Sequence, residues 1–277
     1  MGRAYKMKGQ KRKNKTEKYD REQSVDLAGP SKKVKTDGSN SEKEENLEIT
    51  AGDIPGIPIA PLDTGNNKQR VIFVLENASL EVGKVGKTHQ LLSSDEHATF
   101  LAKNKRNPAA DYRPDIAFQA IQTILDSRVN KSGRLKALYV KTQQGQLLEI
   151  KPHTRLPRTY KRFSGLMVQL LQDLRITATG NGEKLLRLIQ NPVTQYLPTN
   201  SRKIGFSHSS EKLIDMHNYV GKINEDLDLV FVLGAMSHGK IDVDYVEDYI
   251  SISEYPLSAA YAISMITNAV ERKFKIV

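Results

Sequence analysis

The chain has 277 residues, with 42 Lys and Arg against 32 Asp and Glu, a formal net charge of +10 at pH 7. It contains no cysteine, which excludes a disulfide framework, a cysteine nucleophile and a cysteine-ligated zinc site. The positive balance points to a polyanionic partner, nucleic acid before membrane, unless a basic tail alone accounts for it.

No apolar run approaches transmembrane length, and the N-terminus lacks an apolar signal core, so a soluble, intracellular protein is expected. Residues 1–69 read as a tail. The first fifteen, MGRAYKMKGQKRKNK, carry only positive charge, and Lys32, Lys33 and Lys35 form a second basic cluster. Large apolar residues are too sparse there to bury a core, so disorder is expected. The two clusters fit a nuclear or nucleolar import signal, nonspecific contact with RNA, or a solubilising tail.

Folded structure is expected from Gln69 or Arg70. The continuous apolar run 71–75 suits a strand buried on both faces. VGKVGKTHQLL follows; Gly83 and Gly86 are too close for a P-loop, so Lys84 and Lys87 read as a solvated face. HATFLAKNKR reads as a short helix. In DYRPDI, Pro114 places Arg113 and Asp115 at a loop-to-helix junction, ahead of the helically spaced DIAFQAIQTILDS. Asp115 reads first as a helix cap, and Arg113 as an RNA contact that this carboxylate would hold in place. KALYVKT and QLLEI read as two strands of a hairpin turned by QQG.

Lys151, Arg155, Arg158, Lys161 and Arg162 form the densest basic cluster outside the tail. It leads into a helix from about Thr159 whose apolar face is Phe163, Leu166, Met167, Leu170 and Leu171. Arg158 and Arg162, four apart, are expected on one side of the start of that helix, as a phosphate platform. His153 has no companion at metal-ligand spacing, so no metal site is expected. GEKLLRLIQNPV reads as a helix stopped at Pro192, RKIGFS as a short strand, and EKLIDMHNYVGK as helical. LVFVLGA and YISIS read as strands, each followed by a loop rich in Gly, Ser or Pro (234–239 and 253–258), and the chain closes on a helix with a small-residue face. The alternation predicts an α/β fold with a largely parallel sheet. No dinucleotide fingerprint or serine elbow is present. Strand-end loops with glycine admit a ligand's close approach, but most such loops only turn the chain. Residue patterns alone thus give a basic α/β protein with an RNA-facing surface, without naming a reaction.

Taken together, VIFVLENASLE, RPDI, TRLPRTYKRFSGLMVQLL, LLRLIQNP, FVLGAMSHGK and ISISEYPLSAA resemble the essential-for-mitotic-growth family of SPOUT methyltransferases, over roughly Arg70 to the C-terminus. The resemblance implies a SPOUT-type α/β fold over 70–277 with a C-terminal trefoil knot, its cofactor-binding part at about 203–277. It implies S-adenosylmethionine as methyl donor, N1 of a pseudouridine in small-subunit ribosomal RNA as acceptor, and a homodimer. It also implies a role in ribosome biogenesis in the nucleus and nucleolus, beside pre-ribosomal assembly proteins. The alternative it leaves is an rRNA-binding assembly factor whose methyl transfer is secondary or lost. By motif, the cofactor residues are Phe206, Gly234, Gly239, Glu254, Tyr255, Pro256, Leu257, Ser258 and Ala259. The catalytic pair is Arg113 and Asp115, and the RNA platform is Arg113, Arg155, Arg158 and Arg162. The chain departs from common family patterns at Phe206 and at Glu254, where Asn is frequent.

Overall fold

The computed structural model describes residues 68–106, 112–179 and 182–276. The expected tail, with Lys32, Lys33 and Lys35, lies outside them except at Lys68 and Gln69. Gln69 already belongs to the fold: it is buried, and its amide donates to the Asn224 and Leu227 carbonyls.

In chain order the elements are strand β1 (Val71–Ala78), the hairpin β2 (Val82–Val85) and β3 (Thr88–Leu91), and helices α1 (Ser94–Lys103), α2 (Pro114–Asp126) and α3 (Arg128–Lys131). Then come β4 (Leu135–Thr142), β5 (Leu147–Ile150), α4 (Tyr160–Asp173), β6 (Arg175–Thr177), β7 (Lys184–Ile189) and β8 (Ser201–Phe206). The chain ends with α5 (Met216–Gly221), β9 (Asp228–Gly234), β10 (Asp248–Ile250) and α6 (Ala259–Lys273). Among the described residues, one sheet of eight strands has the order β10-β8-β9-β1-β4-β5-β7-β6. The run from β10 to β4 is parallel, and β5, β7 and β6 are antiparallel to their neighbours.

β1 is the central strand, and its apolar run works on both faces as expected. Val71, Phe73 and Leu75 pack toward the helices, while Ile72 and Val74 pack toward the opposite side. The Phe73 ring lies 5.4 Å from Phe231 on β9, and Phe231 lies 5.9 Å from Phe206 on β8. Each such fully buried side chain contributes about 1.5–3 kcal/mol. Helices α2, α4, α5 and α6 cover one face. The other face is covered by irregular chain: a 3-10 turn at Val193–Tyr196 and the loop 235–247.

The last strand pairs with β8 and not with β9, which precedes it, so the chain crosses β8 before α6 returns to pack on α2 and α5. Buried Glu271 fixes the end of α6 by accepting hydrogen bonds from the Arg128 backbone N–H (3.1 Å) and the Arg128 Nε (2.9 Å).

Two sequence expectations are corrected here. GEKLLRLIQNPV forms the strand β7, not a helix. Its leucines fit either period, but a run of this length pairs more readily than it coils. Leu186 is buried toward the helices, Ile189 packs on the opposite face, and Arg187 stands opposite Glu149 on β5 and bonds to it. The helix expected in EKLIDMHNYVGK starts only at Met216, because Asp215 caps it through Asn218 N–H (2.9 Å) and Leu213 bridges to Ser251 instead. VGKVGKTHQLL, for which no element was expected, is a hairpin with Gly86 at φ +63 in its turn, and Lys84 and Lys87 are exposed as expected.

Candidate functional site

The parallel strands β8, β9 and β10 end at the same edge of the sheet, the usual place for a ligand in an open α/β fold. There they border an open cleft. Phe206 ends β8 and is packed against Phe231, so it forms a firm apolar floor. Gly234 ends β9, and a Cβ there would stand 3.1 Å from Cε of Met236, which lines the cleft. Leu257, Ala259 and Ala262 close the far side. Ala259 opens α6, so the small face expected on that helix is turned partly to the cleft.

Five of the nine cofactor residues expected from the motifs line this cleft: Phe206, Gly234, Tyr255, Leu257 and Ala259. The other four are not among its lining residues. Gly239 turns the loop with φ +106, a conformation that favours glycine. The Ser258 hydroxyl caps α6, accepting from Tyr261 N–H at 3.2 Å. Glu254 and Pro256 are exposed on the loop before it. Ser207, His208, Met236, Ser251, Ile252 and Ser253 also line the cleft, beyond what the motifs indicate. The signal available for most of them is adjacency to a strand end, which a motif centred on glycine and proline passes over. Gly205 escapes the motifs as well. A Cβ there would lie 2.7 Å from the Tyr249 ring, so glycine lets β10 settle against β8.

The cleft lining contains no Lys, Arg, Asp or Glu. It offers apolar walls, serine hydroxyls and strand-end backbone. Its own polar groups are partly committed: Ser207 N–H donates to the Ile250 carbonyl (3.0 Å), and the Ser253 hydroxyl accepts from Tyr255 N–H (3.0 Å). Such a pocket suits a flat, mostly apolar ligand with hydrogen-bonding edges.

Arg113 and Asp115 stand at the start of α2, beside the end of β1. The Ser79 hydroxyl, just past β1, accepts from Arg113 N–H at 3.1 Å. The guanidinium donates through Nε to Asp115 Oδ1 (2.8 Å) and through Nη2 to Oδ2 (2.7 Å), a two-point pair. Arg113 is itself the N-cap residue, so Asp115 is not the cap but sits in the first helical turn. The hydrogen bonds from Arg113, helped by backbone N–H groups of the helix start, hold the Asp115 carboxyl below its ordinary value against the effect of burial. The pair is about two-thirds buried, with side chains 39% and 31% exposed. It is a fixed cation with a permanently ionised partner, and a poor proton acceptor.

Of the remaining arginines, Arg158 stands at the other end of α2. Arg158 donates to Asp126, the last residue of α2, at 2.8 and 3.4 Å. It precedes Thr159, the N-cap of α4, so it does not share a helical face with Arg162, and the expected four-residue spacing is not helical spacing. The segment is strapped down by Gln122, whose amide donates to the Pro157 carbonyl at 2.7 Å. Arg155, Lys161 and Arg162 are exposed, with no acidic partner among the described residues. Lys151 is taken up by Glu149 (3.3 Å), and His153 lies beside Glu183 (3.1 Å). From Asp115 to Asp126 the helix rises about 16 Å at 1.5 Å per residue, so the arginines form an extended track, not one cluster. No group of three or more metal-ligating side chains occurs among the described residues. None of their helices is long and apolar enough to cross a membrane.

Comparison with known proteins gives these features a family. The EMG1/NEP1 methyltransferase profile matches residues 73–271. The ribosomal RNA small subunit methyltransferase NEP1 of Mus musculus is 45% identical over 209 residues, spanning 76% of this chain and 84% of the mouse protein. The ribosomal RNA small subunit methyltransferase mra1 of Schizosaccharomyces pombe is 40% identical over 278 residues, spanning 93% of this chain and 77% of that protein. Among solved structures, Archaeoglobus fulgidus Nep1 bound to S-adenosylhomocysteine superimposes with a TM-score of 0.61 at 22% identity, covering 75% of this chain and 99% of that one. That likeness establishes the fold as the expected SPOUT-type α/β knot. The chain belongs to the EMG1/NEP1 methyltransferase family.

Proposed function

We propose that the protein methylates N1 of a pseudouridine in small-subunit ribosomal RNA, using S-adenosylmethionine, during ribosome biogenesis. The observation that carries this reading is the uncharged cleft at the ends of β8, β9 and β10, with the fixed Arg113–Asp115 pair at the end of the neighbouring strand β1. Family membership supports the reaction class, since the relatives bear the name of rRNA small subunit methyltransferases.

The cleft residues fit such a cofactor. Its apolar walls suit an adenine ring, its hydroxyls suit the amino-acid end, and the absence of Lys and Arg leaves a sulfonium unopposed. When bound, the cofactor supplies an electrophilic methyl group. The protein's part is then to place N1 of the target base in line with that methyl. Pseudouridine, unlike uridine, carries an N–H at this position, and that proton must leave as the N–C bond forms. Asp115 is held ionised by Arg113 and is poorly suited to take it. Arg113 instead donates toward charge developing on the base, while Asp115 keeps the guanidinium in one orientation. The proton passes to solvent. Arg155, Arg158 and Arg162 hold backbone phosphates along the track beside α2.

The protein is proposed to act as a homodimer through the exposed face of α6. Tyr261 there is 59% exposed beside a groove bordered by Met216 and Met265. Nuclear and nucleolar residence and contact with assembly proteins complete the proposal. The test is mass spectrometry of two small-subunit rRNA hairpins, one with uridine and one with pseudouridine at the target, after incubation with protein and S-adenosylmethionine. A mass gain of one methyl on the pseudouridine hairpin alone is expected. No gain on either, with a folded protein that binds RNA, would leave an assembly factor as the function.

A further inference from the structure

Glu76 is the last but two of the residues in β1 and only 2% exposed. A buried carboxylate in a central strand costs stability unless it is well paired, and an apolar side chain would fill the space at less cost. Strand alternation sends Glu76 to the face without helices, where the loop 235–247 lies.

Both ends of that loop meet Glu76. Its backbone carbonyl accepts from Ala235 N–H at 2.8 Å, where the chain leaves β9. Its carboxylate Oε1 accepts from the Tyr245 hydroxyl at 2.8 Å, just before the chain rejoins the sheet. Lys141 Nζ, on the neighbouring β4, stands 3.6 Å from Oε2. Burial and the adjacent Glu76 charge push the Tyr245 phenol well up, so it stays a donor. Between the two anchors lie Met236, which lines the cleft, Gly239, and Ile241, whose side chain is buried in the core of this face. Tyr249 adds a third tie, its hydroxyl donating to the Val243 carbonyl (3.0 Å) and accepting from Val243 N–H (2.8 Å). The loop has no helix or strand of its own, so these contacts, together with those of Glu247 to Arg202 and Lys203, limit how many shapes it samples.

We infer that Glu76 is a positioning residue for the cofactor cleft: by closing the loop 235–247 at both ends it holds the Gly234–Met236 wall in the shape that receives the cofactor. This rests on the cofactor reading above.

The experiment is calorimetric binding of S-adenosylhomocysteine to the full chain and to the variants Glu76→Ala, Glu76→Gln, Tyr245→Phe and Glu76→Ala/Tyr245→Phe, with RNA-hairpin affinity measured in parallel. Tyr245→Phe removes one hydroxyl and keeps the packing, so it is the variant least exposed to a folding defect. Glu76→Ala and Tyr245→Phe are expected to weaken S-adenosylhomocysteine roughly tenfold each, with little further loss in the double variant. Glu76→Gln is expected to bind nearly as the parent, because its amide oxygen still accepts from Tyr245. RNA affinity stays unchanged throughout. Affinities within about twofold of the parent for both single variants would overturn the inference. So would a parallel loss of RNA affinity, which marks general loosening, or a Glu76→Gln defect with normal Tyr245→Phe, which moves the effect to Lys141. A parent protein that binds no S-adenosylhomocysteine would instead overturn the cofactor reading itself.

Discussion

The cleft at the ends of β8, β9 and β10 and the arginine track along α2 and α4 lie on one domain but are built by opposite means. The cleft has no Lys, Arg, Asp or Glu in its lining and takes its shape from glycines, small helix residues and strand-end backbone. The track is exposed beyond the partly buried Arg113–Asp115 pair, and its guanidiniums are either paired to the carboxylates of α2 or open to solvent. Recognition in the cleft therefore depends on volume and on backbone placement, and is expected to be nearly independent of salt. Recognition on the track depends on charge, and is expected to weaken steeply as salt rises.

The pair Arg113–Asp115 stands at the end of the track next to Ser79 and β1, and breaking it should have the largest effect. Arg113→Ala is expected to lower the single-turnover methylation rate by about 100- to 1000-fold with RNA saturating, the loss typical of one preorganised donor. Asp115→Asn keeps the cation but frees its orientation, so a smaller loss of about tenfold is expected. Parent-like rates for both variants would remove the pair from the chemical step and leave it an RNA contact only. Next in size is a change of volume in the cleft. Gly234→Leu places a branched side chain where a Cβ already stands 3.1 Å from Met236. S-adenosylhomocysteine affinity should fall by about tenfold or more while hairpin affinity holds. If both fall together, the two regions are not separable.

The difference in construction also explains what can be read in the sequence. The central strand, the hairpin of β4 and β5, and the helices α2 and α4 follow from apolar period and from Pro114, because local pattern and burial agree there. β7 defeats a reading by period because Leu185, Leu186, Leu188 and Ile189 satisfy a helix as well as a strand. The deciding partner of Arg187, Glu149, is 38 residues distant in the chain. Charged residues of the track announce themselves by type, so Arg113, Asp115, Arg155, Arg158 and Arg162 can be named from sequence. Their spread along α2 cannot, because it depends on Gln122 and Asp126 meeting the segment 157–158. The cleft is legible only through its glycines and its resemblance to a family. Ser207, Met236 and Ser251 become walls because of which strands lie side by side, and that order is a property of the crossing of β8.

Charge removal on the track sharpens the contrast by its salt dependence. The triple variant Arg155→Ala/Arg158→Ala/Arg162→Ala should bind the hairpin more weakly at low salt. The slope of log affinity against log salt should flatten by about 2, at roughly 0.7 for each single-strand phosphate no longer neutralised. S-adenosylhomocysteine affinity should be unchanged. An unchanged slope would mean that these arginines do not neutralise phosphates, and the track would then be reduced to Arg113.

The smallest effect tests whether the cleft's freedom from charge extends to the strand that supports it. It does not. Asp248, at the start of β10, accepts from Lys212 Nζ (2.7 Å), the Tyr219 hydroxyl (2.6 Å) and Arg202 Nη2 (2.5 Å). The Lys212 bond above all, then Tyr219 and Arg202, hold its carboxyl far below the usual carboxylate range. A depressed carboxyl contributes stability that is complete above its unfolded value, near pH 4, and is lost as pH falls from there through the folded value. Asp248→Asn should therefore cost about 1–2 kcal/mol in urea unfolding at neutral pH. It should cost less at pH 3, where the parent has already begun to lose this contribution. Because the network lies at the start of β10 and the cleft at its end, cofactor affinity at neutral pH should barely move while the fold is intact. A loss of cofactor affinity matching that of Gly234→Leu would show that the cleft depends on charge held one strand-length away, and the contrast between the two regions would fail at that point.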